Sequence, residues 1–191
     1  DEEIISMNTI INYLNKYGEE IALVLIGGVN YFTGQAFDMA AITDKAQNCG
    51  CRVGFDLAHA AGNLILNLHD WGVDFAAWCG YKYLNGGPGA PSGIFIHERH
   101  LERTDLQRFE GWWGHDKTTR FEMSSVFKPQ KTVEAWQLSN PPILSMAALL
   151  ASLEIFHEVG MRSLRQKSEK LTAYLEALIK SELSEQFEII L

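Results

Sequence analysis

Four short apolar runs, spaced by helix-like or glycine-rich stretches, limit what this chain can fold into more than any other feature. They cover residues 21–26, 52–55, 73–78 and 93–97. The first is wholly apolar and enters Gly27-Gly28, as a buried parallel strand would. Between and around them the spacing predicts helices. Ile4, Met7, Ile11 and Leu14 put an apolar stripe on residues 3–17. Asp38 or Thr43 can cap a second helix that runs to Asn48 and stops at Gly50. Beyond Pro141-Pro142, residues 143–158 and 160–182 read as two more, the last striped by Leu164, Leu171, Leu175 and Leu178. Strands alternating with helices mean βαβ units, so the expected class is α/β with a mostly parallel sheet flanked by helices.

The bulk numbers narrow the function. At 191 residues, 47% apolar and 21% charged, the chain can bury a core, and one domain is the default. A net charge of −8 with no basic stripe argues against nucleic acid as a partner. No segment approaches the ~20 continuous apolar residues of a membrane span. Cys49, Cys51 and Cys79 are odd in number and sparse, which fits a reducing cytoplasm. The chain opens Asp1-Glu2-Glu3 without a methionine or signal peptide, and 187–191 read as a strand. The expectation is the interior of a longer protein.

Ligands in α/β sheets bind beyond the carboxyl ends of parallel strands. Asp56 closes one strand-like run, and Lys82 follows the next, 26 positions on. Two neighbouring strand ends would thus bring a carboxylate and an amine to one crevice. Lys82 is flanked by Tyr81 and Tyr83 and precedes Gly86-Gly87-Pro88-Gly89, a loop that can turn tightly beside a bulky ligand. An amine for a Schiff base and an acid that keeps a pyridine nitrogen protonated are the groups pyridoxal phosphate chemistry requires. Asp56 can alternatively cap the segment after it. His59, three positions later, shares its side if a helical turn follows. Residues 104–137 are polar, aromatic and without strong periodicity, the mark of a functional loop. There Trp112 and Trp113 carry indole N–H donors that need partners when buried. Asn140 precedes two prolines, where an amide serves a ligand or simply a turn. His97-Glu98-Arg99-His100 spaces its histidines by three rather than four, so no metal site is expected. Gly87-Pro88-Gly89 is too short for a dinucleotide fingerprint, and Ser92 lacks nucleophile-elbow spacing.

Asp56-Leu57-Ala58-His59-Ala60, His69-Asp70-Trp71-Gly72-Val73-Asp74-Phe75, Tyr81-Lys82-Tyr83-Leu84-Asn85, Gly111-Trp112-Trp113-Gly114-His115 and Ser139-Asn140-Pro141-Pro142 together resemble the kynureninase family. The motifs span about residues 21–157. The resemblance implies the large cofactor domain of a fold-type I pyridoxal phosphate enzyme, of the aspartate-aminotransferase fold. It implies hydrolysis of L-kynurenine, and of 3-hydroxykynurenine, to anthranilate or 3-hydroxyanthranilate and L-alanine, in tryptophan degradation and NAD biosynthesis. It also implies a cytoplasmic homodimer with a shared active site. By the same resemblance Lys82 holds pyridoxal 5′-phosphate and afterwards moves protons, and Asp56 pairs with the pyridine nitrogen. His59 contacts the cofactor, Tyr81 bonds its phosphate and can relay a proton, and Trp112 fixes the phosphate end. Asn140 lies near substrate or cofactor, reached across the dimer. Gly27 stands where some relatives carry a hydroxyl. Residues 1–157 would be the central part of the cofactor domain, and 158–191 a connecting helix with the start of a small domain. The family's main phosphate loop, its ring-stacking aromatic and its substrate-carboxylate arginine fall outside the chain, so the stretch alone should be inactive. Two alternatives stay open: another enzyme of this fold, such as a cysteine desulfurase or class V aminotransferase, and an inactive dimerising fragment. Desulfurases and aminotransferases of this kind typically place a histidine before the lysine, where this chain has Tyr81.

Overall fold

The computed structural model describes residues 4–103, 105–183 and 189. The first helix, α1 (Met7–Tyr17), starts later than its apolar stripe because Ser6 caps it: the Ser6 Oγ accepts the Thr9 N–H at 3.1 Å. Strand β1 (Leu23–Gly27) also starts late, since Ile21 closes a short 3₁₀ turn, Gly18–Glu20. Asp38, not Thr43, caps α2 (Met39–Asn48), its Oδ1 accepting the Ala41 N–H at 3.0 Å. Thr43 is buried instead and donates its hydroxyl to the Met39 carbonyl. Then come β2 (Arg52–Asp56), β3 (Phe75–Trp78) and β4 (Gly93–Ile96). The strand expected over 187–191 lies outside the described residues, Ile189 apart.

The sheet has the order β1-β2-β3-β4, with the first three parallel and β4 antiparallel to β3. In register, Gly27 faces Asp56 and Asp56 faces Ala77, so the carboxyl ends of β1, β2 and β3 lie side by side. The core forms where α1 and α2 meet the sheet: Leu14, Ile42, Ala46, Val53, Phe55, Val73 and Ala76 are almost fully buried. Burying a side chain such as Ile42 or Phe55 contributes about 1.5–3 kcal/mol. The cysteines are free, and Cys49 and Cys51 aim their thiols at the Leu14 and Gly18 carbonyls that end α1.

Residues 105–137 hold no regular helix or strand, only short 3₁₀ turns such as Arg120–Glu122 and Val133–Trp136 and one antiparallel bridge between His115 and Pro129. Helices α3 (Ile143–Val159) and α4 (Met161–Glu182) follow, meeting at 86° about Gly160. Neither buries a residue completely, and α3 leaves Ile143, Leu144, Leu150 and Ile155 exposed. Among the described residues no single helix is long and apolar enough to cross a membrane.

Candidate active site

The last residue of β2, Asp56, is exposed at the sheet's carboxyl edge. Its Oδ1 accepts the Ala58 N–H at 2.8 Å, while among the described residues its second oxygen has no partner. The capping and ligand roles therefore do not compete for one atom. Hydrogen bonds from Ala61 N–H to Leu57 C=O and from Leu64 N–H to Ala60 C=O wind the chain through turns rather than a regular helix. That winding brings His59 round to Lys82.

The His59 Nε2 and Lys82 Nζ are 2.9 Å apart. At that distance one nitrogen donates a hydrogen bond to the other. The Tyr83 ring meets His59 edge-on at 5.8 Å, and the Tyr31 ring lies tilted to it at 6.3 Å. Lys82 sits in a tight turn four residues past β3, closed by Asn85 N–H to Lys82 C=O and Gly86 N–H to Gly80 C=O. Gly62 lets this turn pack against the Asp56–His59 segment: its φ is +83°, and a Cβ there would lie 2.7 Å from the Tyr83 carbonyl oxygen.

Asp56, Ala58, His59 and Lys82 line one cavity of about 860 Å³ together with Tyr31, its other side formed by α1 and β1 side chains. A second, open cavity of about 520 Å³ shares His59 and Lys82 and is lined on its far side by Phe156 and Leu164 of α3 and α4. Three of the residues expected at one site thus converge. The other three do not line either cavity. Tyr81 is 55% exposed. Trp112 lies in the 105–137 segment, edge-on to Trp113. Asn140 is exposed and bonded to the Ser139 hydroxyl. The Gly86–Gly89 loop does not line the Lys82–Asp56 cavity, contrary to the expectation of a turn beside the ligand.

Tyr31 was not anticipated. The rule that points to Asp56 and Lys82 also points to it, since its loop follows the carboxyl end of β1. A buried ion network at the opposite edge of the sheet was equally missed. Asp74, just before β3, accepts from Arg99 Nη2 at 2.7 Å, from Val53 N–H at 2.8 Å and bonds His100 Nε2 at 2.6 Å. Burial pushes the Asp74 carboxyl up, but these bonds outweigh it and hold it below its usual value of 3.8. The residues weighed as a metal motif thus support the sheet: His100 and Arg99 serve Asp74, and His97 stacks on His69 at 4.9 Å.

The aminotransferase class-V profile matches residues 2–190. The chain belongs to the aminotransferase class-V family. Within it, the chain is 61% identical to the kynureninase of Myxococcus xanthus over 93% of its length and 59% identical to that of Koribacter versatilis over 95%. It is 54% identical to the kynureninase of Flavobacterium johnsoniae over 99%. It spans 42%, 43% and 45% of those proteins, less than half of each. Among solved structures, the fold matches a cysteine desulfurase from Escherichia coli with a TM-score of 0.68 at 19% identity, over 90% of this chain and 42% of that one. It also matches an alanine–glyoxylate aminotransferase from Nostoc sp. with a TM-score of 0.68 at 21% identity, over 93% and 45%. Both likenesses show the fold expected from the strand pattern.

The family's cofactor is pyridoxal 5′-phosphate. The cavity fits its ring end: a carboxylate with a free oxygen and an amine line the same space, as a pyridine nitrogen and an aldehyde require. The volume also falls within the about 300–1,000 Å³ usual for small-molecule pockets. Neither Tyr81 nor Trp112 lines this cavity to serve the phosphate.

Proposed function

We propose that this chain is the central part of an enzyme that hydrolyses L-kynurenine to anthranilate and L-alanine, and 3-hydroxykynurenine to 3-hydroxyanthranilate and L-alanine. The observation that carries the reading is identity of more than half to curated kynureninases along nearly the whole chain. In the cell it would act in the cytoplasm, in tryptophan degradation and the supply of NAD. Residues 1–157 are the central part of the cofactor domain, and 158–191 lead into a small domain. The bend at Gly160 falls close to that boundary.

Pyridoxal phosphate, when bound, supplies the electron sink that lets the substrate lose its α-proton and break its β–γ carbon bond. The chain's own residues do the rest. The Lys82 amine would hold the cofactor and would move protons at the substrate's α and β carbons. Asp56, through its unpaired oxygen, would keep the pyridine nitrogen protonated by a charge-assisted hydrogen bond. His59 takes up or gives a proton at Lys82 Nζ and sets where that amine points. Water adds to the γ-carbonyl and leaves in the aryl carboxylate, so the products account for every atom. Tyr81, Trp112 and Asn140 act at the phosphate and substrate ends. In a homodimer Asn140, which does not line the Lys82 cavity of its own chain, would reach the partner's site.

The test is full-length protein supplied with pyridoxal phosphate and L-kynurenine, followed by the fluorescence of released anthranilate. The reading expects steady release, and none from Lys82→Ala. Cofactor binding without anthranilate, accompanied by sulfur release from cysteine or amino-group transfer to glyoxylate, would replace it with the desulfurase or aminotransferase reading. Absence of cofactor binding would leave the inactive scaffold.

A further inference from the structure

The His59 imidazole is anchored through one nitrogen only. Its Nε2 lies 2.9 Å from Lys82 Nζ, while its Nδ1 has no hydrogen-bond partner among the described residues. A functional histidine is usually fixed at that second nitrogen, by a carbonyl or a carboxylate. Here aromatic rings stand against the imidazole instead. The Tyr83 ring meets it edge-on at 5.8 Å, with the two planes at 65°, and the Tyr31 ring is farther off at 6.3 Å. The Tyr83 backbone is itself held. Its carbonyl accepts the Asn85 Nδ2–H at 3.2 Å, in a turn where Asn85 takes the left-handed conformation at φ +54°. Gly62 packs against the same carbonyl, and its neighbour Asn63 donates its side-chain amide to the His59 carbonyl at 3.2 Å. One turn thus carries the amine at position 82 and, beside it, the ring that faces the amine's partner. The Tyr83 side chain is 42% exposed, and its hydroxyl makes no hydrogen bond among the described residues. Neither burial nor a hydroxyl anchor accounts for an aromatic there; the edge contact with His59 does.

We propose that Tyr83 is a positioning residue: its ring fixes the His59 imidazole in the plane that points Nε2 at Lys82 Nζ. The proposal deepens the reading above and rests on Lys82 being the point of cofactor attachment. Tyr83 acts through His59, and it lines the second cavity rather than the one that holds Asp56. Attachment needs a neutral amine. The Lys82 ammonium gives one proton to His59 Nε2, its nitrogen bonds the aldehyde carbon, and the two protons left on it depart with the aldehyde oxygen as water. An imidazole turned away from Lys82 cannot take the first proton.

The experiment follows cofactor attachment, not turnover, in the full-length protein. Cofactor is stripped, and the rate at which the absorbance of bound pyridoxal phosphate returns is measured by stopped flow. The proteins are wild type, Tyr83→Phe, Tyr83→Leu, His59→Ala and the Tyr83→Leu/His59→Ala pair. His59→Ala should slow attachment by about a hundredfold, the lower end of what a positioned proton acceptor contributes. Tyr83→Leu should slow it about two- to tenfold, as one edge-on aromatic pair contributes. Tyr83→Phe keeps the ring and should match wild type. The pair should be no slower than His59→Ala alone, because without the imidazole there is nothing left to orient. Tyr83→Leu at the wild-type rate overturns the proposal, and so do penalties that multiply in the pair. A slowed Tyr83→Phe also overturns it, an outcome readable even if the leucine variant does not fold. An unchanged rate in His59→Ala removes the proton path and Tyr83's role with it. Each of these leaves the function intact; no attachment even in wild type overturns the function and the proposal together.

Discussion

At the scale of single residues, the account depends on the two oxygens of Asp56 having different work. One is held by the Ala58 N–H and fixes the carboxylate at the end of β2; the other has no partner among the described residues and, on the proposed function, would take a pyridine nitrogen. Asp56→Asn keeps the size, and its amide oxygen can keep the Ala58 bond, but the charge that stabilises a protonated ring is lost. The variant should bind cofactor yet lose turnover by about 10³-fold or more, as expected when an interaction of about 4 kcal/mol on the reacting state disappears. Stopped-flow measurement of α-proton loss checks it, and unchanged rates would mean that Asp56 serves only as a turn cap. The meeting of Asp56 and Lys82 was legible because one ends an apolar strand and the other follows the end of the next, parallel one. The contact of His59 with Lys82 was legible only in part. The three-residue spacing from Asp56 gave its side, but the turn that carries it across to Lys82 depends on packing against Gly62, which no local pattern announces.

Among the elements, strand positions and the parallel order of β1 to β3 followed from apolar runs and their spacing. The antiparallel β4 did not, because a short apolar strand carries no mark of its direction. Some element starts shifted for local reasons, Ser6 capping α1 and a 3₁₀ turn delaying β1, while α2 is capped by Asp38, one of its two expected caps. The Asp74 network was hidden for another reason: its partners come from Arg99 and His100, 25 and 26 positions away, and only the folded sheet edge joins them. Because folding lowers the Asp74 pKa, the unfolded chain binds a proton more readily than the folded one. Its stabilisation is therefore complete above the ordinary carboxylate value and is lost as pH falls through the lower, folded value. Asp74→Asn leaves Arg99 and His100 without their anionic partner and should cost about 3 kcal/mol at neutral pH. Urea midpoints measured from neutral to acid pH should be lower in the variant near neutrality and converge with wild type in acid. Equal midpoints throughout would show that the network contributes nothing to stability.

For the whole molecule, the Lys82 cavity and the Trp112 and Asn140 segment are separate features of one chain, and α3 offers an uncovered apolar face. Sequence could name both sets of residues but not their separation, since the irregular 105–137 segment has no periodicity from which to place it. If two copies share each site, a dimer pairing a Lys82→Ala subunit with an Asn140→Ala subunit has one site carrying both lesions and one carrying neither. Mixing the two inactive variants under exchange conditions should then restore about a quarter of wild-type turnover, the share expected from random pairing in a two-fold dimer. No recovery would place Asn140 and Lys82 in the same subunit's site. Behind all of this stands the claim that Lys82 is where the cofactor is attached. Borohydride reduction of the cofactor-loaded full-length protein, followed by proteolysis and mass spectrometry, tests that claim most directly. The account predicts the pyridoxyl phosphate mass on the peptide containing Tyr81-Lys82-Tyr83, at Lys82; finding it on another lysine, or on none, would contradict it.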